Sequence, residues 1–244
     1  MSNRSSASEL RPSPLYRERR QVPRGRLREI APLPAPRAVL FDLDGTLIDT
    51  MQLFADVAAD VMVNHHGLDR VTARAAYLST SGIPFFQQLE VIAPTDPRNA
   101  KAASEFERRK LVAVADVVPN ESTLETLSAL RALGISIAVC SNNFQEQVDD
   151  FVAQCPVKLD LALGFGNGLA KGPTQFDHAA RTFGCRRDDL LFVGDSVADA
   201  RLARESNIRF VAKLGTFEAG AFVTVAPGAP AVSEIPELLS LFAR

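Results

Sequence analysis

Asp42-Leu43-Asp44-Gly45 sets two carboxylates two residues apart, directly after the apolar run Ala38-Val39-Leu40-Phe41. Side chains at i and i+2 of an extended chain share a face, so the two acids face the same side and repel. Like charges about 4 Å apart cost on the order of 4 kcal/mol at an effective dielectric near 20, so such a pair shifts its protonation or recruits a cation. A hard divalent metal answers the repulsion. Taken alone, the same four residues also read as a turn that Asp42 caps.

Two further positions carry the same pattern of a polar residue at the end of an apolar run. Ser141-Asn142-Asn143 follows Ile135 to Cys140, and Gly194-Asp195-Ser196-Val197-Ala198-Asp199 follows Leu190 to Val193. Lys171 follows the irregular stretch Gly164-Phe165-Gly166-Asn167-Gly168 and precedes a helix. Each has an ordinary alternative: turn chemistry for Ser141, a solvated lysine for Lys171, and a helix N-cap for Asp195 or Ser196.

Apolar runs of this kind read as buried strands, and helical patterns separate them. Phe176, Ala179, Ala180 and Phe183 recur at i, i+3, i+4 and i+7, with Gly184 as a stop. Alternating strand and helix predicts an α/β fold, a Rossmann-like parallel sheet with right-handed crossovers and ligands beyond the carboxyl ends of the strands. Residues 50–118 break the rhythm, with at least three helical stretches and no strand; Leu53, Phe54, Val57, Ala58, Val61 and Met62 form one apolar stripe. A connection of this length and patterning predicts a small all-helical cap domain inserted in a core made of 38–49 and 119–244. Residues 1–37 hold nine Arg and three Glu without hydrophobic period, and are expected to be a disordered leader.

Phe41-Asp42-Leu43-Asp44-Gly45-Thr46-Leu47-Ile48-Asp49-Thr50 closely resembles the first signature of the haloacid dehalogenase superfamily phosphatases. Ser141, Lys171 with Gly172-Pro173, and Gly194-Asp195-Ser196-x-x-Asp199 resemble the family's second, third and fourth motifs, in the family's order. The resemblance implies a magnesium-dependent phosphatase in which Asp42 attacks phosphorus and Asp44 acts as acid, then base. It implies that Ser141 and the amide of Asn142 hold a phosphoryl oxygen, with Lys171 neutralising charge. Mg2+ would lie on Asp42, Asp195 and the Asp44 carbonyl, with Asp199 a ligand or a helper that orients water or Lys171. Such oxygen ligation suits magnesium, and the chemistry divides hydrolysis into two displacements through an aspartyl phosphate.

The nearest label is phosphoglycolate phosphatase-like, acting on a small phosphorylated metabolite. The rivals are a phosphosugar mutase resembling β-phosphoglucomutase, and a phospho-accepting or catalytically silent binding module.

A net charge of −2 over 244 residues gives no electrostatic footing for nucleic acid, and no apolar run is long enough to span a membrane. Three cysteines without metal or redox spacing fit a reducing cytoplasm. His65-His66-Gly67 reads as a helix end and Arg108-Arg109-Lys110 as a solvated helix face; Thr80 to Phe86 resembles a substrate-facing loop, with Phe85 and Phe86 expected to pack in the core. Nothing in the sequence fixes an oligomeric state.

Overall fold

The computed structural model describes residues 33–114 and 117–242. Six strands, β1 (Ala38–Phe41), β2 (Ser136–Phe144), β3 (Leu161–Phe165), β4 (Leu190–Gly194), β5 (Arg209–Lys213) and β6 (Ala231–Val232), form one sheet in the order β3-β2-β1-β4-β5-β6. Every pairing is parallel. Four helices, α1 (Met51–His66), α2 (Arg70–Ser79), α3 (Phe85–Ile92) and α4 (Asn99–Val114), lie between β1 and β2 in the chain. After them come α5 (Glu121–Ala132), α6 (Gln145–Gln154), α7 (Pro173–Phe183), α8 (Val197–Glu205), and the short α9 (Ala219–Phe222) and α10 (Leu238–Leu241). Among the described residues no helix is long and apolar enough to cross a membrane.

Strand periodicity divides the core in two. Val39 and Phe41 join Ile137, Val139, Leu191 and Val193 on one face, under Leu127 and Leu130 of α5 and Val148 of α6. Ala38 and Leu40 join Ala138, Cys140 and Phe192 on the other, against Phe176 of α7 and Ala200 of α8. All four residues of β1 are fully buried, so the strand carries no polar face, as expected of a central parallel strand covered on both sides. Each fully buried Leu or Phe contributes roughly 1.5–3 kcal/mol. The chain leaves β1 toward β2 and β3, then returns to place β4 on its other side, so the order reverses between β1 and β4. A crevice at such a reversal is where open α/β sheets bind ligands.

The helices between β1 and β2 have a core of their own, centred on Phe54, Met62, Tyr77, Leu89 and Phe106. Phe85 stacks on Phe106 with ring centroids 4.2 Å apart. Gly67, at φ 71°, closes α1 as a left-handed cap, and Asp69 caps α2 by accepting from the Thr72 amide at 3.0 Å.

Several expectations need correction. Leu53 is 38% exposed and leaves the stripe of α1, whose other members are buried. Gly164-Phe165 belongs to strand β3 and is not part of an irregular loop; β3, β5 and β6 extend the sheet beyond the three apolar runs read as strands. The expected leader lies outside the described residues up to residue 32, but Leu33 to Arg37 are tied down. The Leu33 amide donates to the Leu241 carbonyl at 2.6 Å, and that of Arg37 to the Asp189 carbonyl at 2.8 Å.

Candidate active site

Asp42 is the first residue past β1, and Asp195 the first past β4, so neighbouring strands at the reversal deliver both carboxylates to one crevice. The turn after Asp42 is tight: the Gly45 amide donates to the Ile48 carbonyl at 2.7 Å. Gly45 has φ 79°, and a Cβ there would run into the Asp195 carboxylate, so glycine is required on both counts. Ser141-Asn142-Asn143 lie within β2 and not in a turn after it, at the point where its register with β3 shifts between Cys140 and Phe144. Such irregularities re-aim side chains, here those of Ser141, Asn142 and Asn143.

Lys171 is buried between two acids, with Nζ 3.0 Å from Asp42 Oδ1 and 2.8 Å from Asp199 Oδ1. Burial acts to depress the lysine, but Asp199 and Asp42 outweigh it and hold the ammonium firmly protonated. Asp199 also closes a capping box at the start of α8: its Oδ2 accepts from the Ser196 amide at 3.1 Å and from Ser196 Oγ at 2.6 Å. Both carboxylate oxygens of Asp199 are therefore engaged by protein donors. The helix-cap reading of this motif and its placement beside Lys171 hold together.

Asp44 is held by two donors, Thr50 Oγ1 at 2.7 Å and Asn143 Nδ2 at 2.8 Å. Asp195 accepts from Thr216 Oγ1 in the loop after β5. The Asn142 side chain joins three segments, donating to the Gly82 carbonyl at 3.1 Å and accepting from the Lys171 amide at 3.2 Å. A Cβ on Gly82, at φ 95°, would meet Ser196 Oγ, so the loop at Thr80 to Pro84 approaches the β4–α8 loop closely only because residue 82 is glycine.

Asp42, Asp44, Ser141, Lys171 and Asp195 line one cavity of about 70 Å³, together with Phe54, Tyr77 and Phe85 from the helical insertion. Desolvation raises Asp42 well above the usual carboxylate range; Lys171 opposes this, and Asp199, Asp195 and Asp44 reinforce it. Burial and Asp199 likewise push Asp195 up to about 7. Asp42, Asp195 and Asp199 outnumber Lys171, which pairs with two of them, and such an imbalance is what a divalent cation relieves. Oxygens of Asp42, Asp195 and Asp199 lie within 4.8 Å of one another; with Asp199 held by Lys171 and Ser196, Asp42 and Asp195 are the pair that offers the oxygen ligation a hard divalent cation prefers.

All the sequence-predicted residues are thus brought together, with Asn142 present through its side chain. Thr50, Asn143 and Thr216 were not assigned a role from the sequence, because a single Thr or Asn carries no spacing signal of its own. Lys110 is a correction: it is not solvated but 7% exposed, and lines the same cavity. Its neighbour Arg109 does pair outward, with Asp60 at 3.0 Å. Phe85 packs in the core as expected, whereas Phe86 is 44% exposed.

The family model of the haloacid dehalogenase-like hydrolases matches residues 39–213. A phosphoglycolate phosphatase of Nitrosospira multiformis is 28% identical over 194 residues, covering 71% of this chain and 80% of its own. One from Neisseria meningitidis is 29% identical, covering 69% and 76%. A haloacid dehalogenase-like hydrolase of Streptococcus pneumoniae superposes with a TM-score of 0.73 at 18% identity, covering 86% of this chain and 99% of that one, a likeness of fold. The chain belongs to the haloacid dehalogenase-like hydrolases.

Proposed function

We propose that this hydrolase is a magnesium-dependent phosphatase that cleaves a small phosphate monoester through a phosphorylated Asp42; that relatives of 28–29% identity are named phosphoglycolate phosphatase supports the substrate class. The observation that carries the reading is the Asp42 carboxylate, which lines the cavity with Lys171 on one oxygen and Asp44 in the same wall.

An Asp42 oxygen attacks phosphorus and the bridging P–O bond breaks, while protonated Asp44 gives its proton to the departing oxygen. Water then attacks phosphorus, Asp44 takes a proton from it, and the P–O bond to Asp42 breaks to release phosphate. Thr50 and Asn143 hold Asp44 for both steps. Lys171 offsets charge on the transferring group, and Ser141 with the Asn142 amide holds a phosphoryl oxygen. Asp199 acts through Lys171, since its oxygens are already engaged. Asp42, Asp195 and the Asp44 carbonyl would hold Mg2+, which neutralises phosphoryl charge when bound.

In this reading residues 50–118 are a cap on the core formed by 38–49 and 119–244, and the cap excludes water and large substrates. The free cysteines Cys140, Cys155 and Cys185 fit a cytoplasmic enzyme. The test is phosphate release from a panel of small esters, with magnesium and with chelator, for wild type, Asp42→Asn and Asp44→Asn. Losses of at least about 1,000-fold are expected in both variants, because residues acting as one unit fail together. Unchanged turnover by Asp42→Asn removes the nucleophile, and unchanged turnover in chelator removes the metal.

A further inference from the structure

Lys110 projects from α4 into the cavity that holds Asp42 and Asp44. It is 7% exposed, and its ammonium donates to Asn143 Oδ1 and lies 4.9 Å from the centre of the Phe54 ring. Among the described residues no carboxylate comes within ion-pair distance of it, whereas the neighbouring Arg109 has two such partners and Lys171 also has two. An amide oxygen and a ring face offset a buried ammonium only in part, and a buried charge is costly without an opposite one. Among the described residues the cavity therefore offers a cation with no ion-pair partner.

The direction of that cation is fixed by one side chain. Asn143 accepts from Lys110 through Oδ1 and donates to Asp44 through Nδ2 at 2.8 Å. On the phosphatase reading Asp44 faces the bridging oxygen, so Lys110, joined to Asp44 through Asn143, lies on the leaving-group side. The cavity of about 70 Å³ is on the order of five water sites, at the ~10–15 Å³ each requires, so the leaving group is short. Glu107, one turn before Lys110 on α4, lines the same cavity with the opposite charge and disfavours an anionic tail that reaches past the lysine.

We propose that Lys110 is a specificity-determining residue that binds a second anionic group on the leaving group, so that the preferred substrates are short phosphomonoesters carrying a carboxylate or a second phosphate close to the bridging oxygen. This rests on the phosphatase reading above.

The test compares kcat/KM for three two-carbon esters: phosphoglycolate with a carboxylate, ethylene glycol bisphosphate with a second phosphate, and ethyl phosphate with neither. Wild type is expected to favour one or both anionic esters over ethyl phosphate by about 10- to 100-fold, the size of a hydrogen bond to a charged group. Lys110→Met abolishes that preference while holding ethyl phosphate turnover within about threefold, and Lys110→Arg keeps most of the preference. The ester that loses most in Lys110→Met identifies the anion. Equal losses on all three esters overturn the proposal, since Lys110 then acts through Asp44, as does a preference that survives Lys110→Met. Wild-type turnover of ethyl phosphate without any preference sinks the Lys110 assignment alone; no turnover of any ester sinks the phosphatase reading and this assignment together.

Discussion

Lys171→Met removes the cation between Asp42 and Asp199 while keeping most of the side-chain volume. Lys171 Nζ is 3.0 Å from one carboxylate and 2.8 Å from the other, and all three side chains are almost wholly buried. Breaking a buried pair from one side costs about 3–5 kcal/mol, because the partners stay buried and charged. Here the cost depends on pH. Without Lys171, which opposes the upward push of burial on Asp42, that carboxyl has a folded pKa further above its unfolded value, so the folded variant holds a proton that the unfolded chain has released. Stability of the variant relative to wild type therefore falls as pH rises above the unfolded carboxylate pKa of about 4, by up to ~1.4 kcal/mol per pH unit for each extra proton held. Urea denaturation followed by circular dichroism, without metal, reads this directly. The deficit is expected to reach about 3–5 kcal/mol near pH 8 and to shrink markedly near pH 5. A deficit below about 1 kcal/mol that is the same at both pH values refutes the argument, because the lysine would then not be compensating buried charge.

Other perturbations probe separate parts of the site. Gly45→Ala forces a Cβ into the Asp195 carboxylate at a backbone φ of 79°, and thermal unfolding should show a loss of about 1–3 kcal/mol with weakened magnesium binding by titration calorimetry. Burial and Asp199 raise Asp195 to about 7, so protons compete with the cation below that pH: magnesium should raise the melting temperature more near pH 8 than near pH 6. An equal rise at both pH values would contradict the assignment of Asp195 as a ligand. Asn143→Ala frees Asp44 from one of its two donors, and steady-state kinetics should show kcat falling about 10- to 100-fold, as for a lost positioning contact, with turnover largely independent of substrate charge.

Much of this site was legible because strands end abruptly. Ala38 to Phe41 is apolar at every position, and the polarity change at Asp42 marks both the end of a buried strand and the start of the crevice. The same holds for Asp195 after β4, and the helical stripe of Phe176 to Phe183 was readable from spacing with its Gly184 stop. The short strands β5 and β6 were not, since Arg209 to Lys213 has charged ends and Ala231-Val232 is too brief to show a period. Lys110 was missed for a different reason. Its neighbours Glu105, Glu107, Arg108 and Arg109 make the segment look solvated, and which face of α4 turns inward is decided by packing of Ala102 and Phe106 against α1, a tertiary fact. Asn143 and Thr216 reach the acids only after folding brings β2 and the loop after β5 beside them, and Thr50 reaches Asp44 only through the turn between them.

The claim on which the rest depends is that Asp42 carries the phosphoryl group between two displacements. Rapid acid quench of wild-type enzyme during turnover of phosphoglycolate, followed by borohydride reduction and peptide mass spectrometry, tests it at one residue. The account predicts a reduced side chain at position 42 that appears with substrate and is absent in Asp42→Asn. Sustained phosphate release with position 42 unmodified at every quench time, and comparable release by Asp42→Asn, would contradict it.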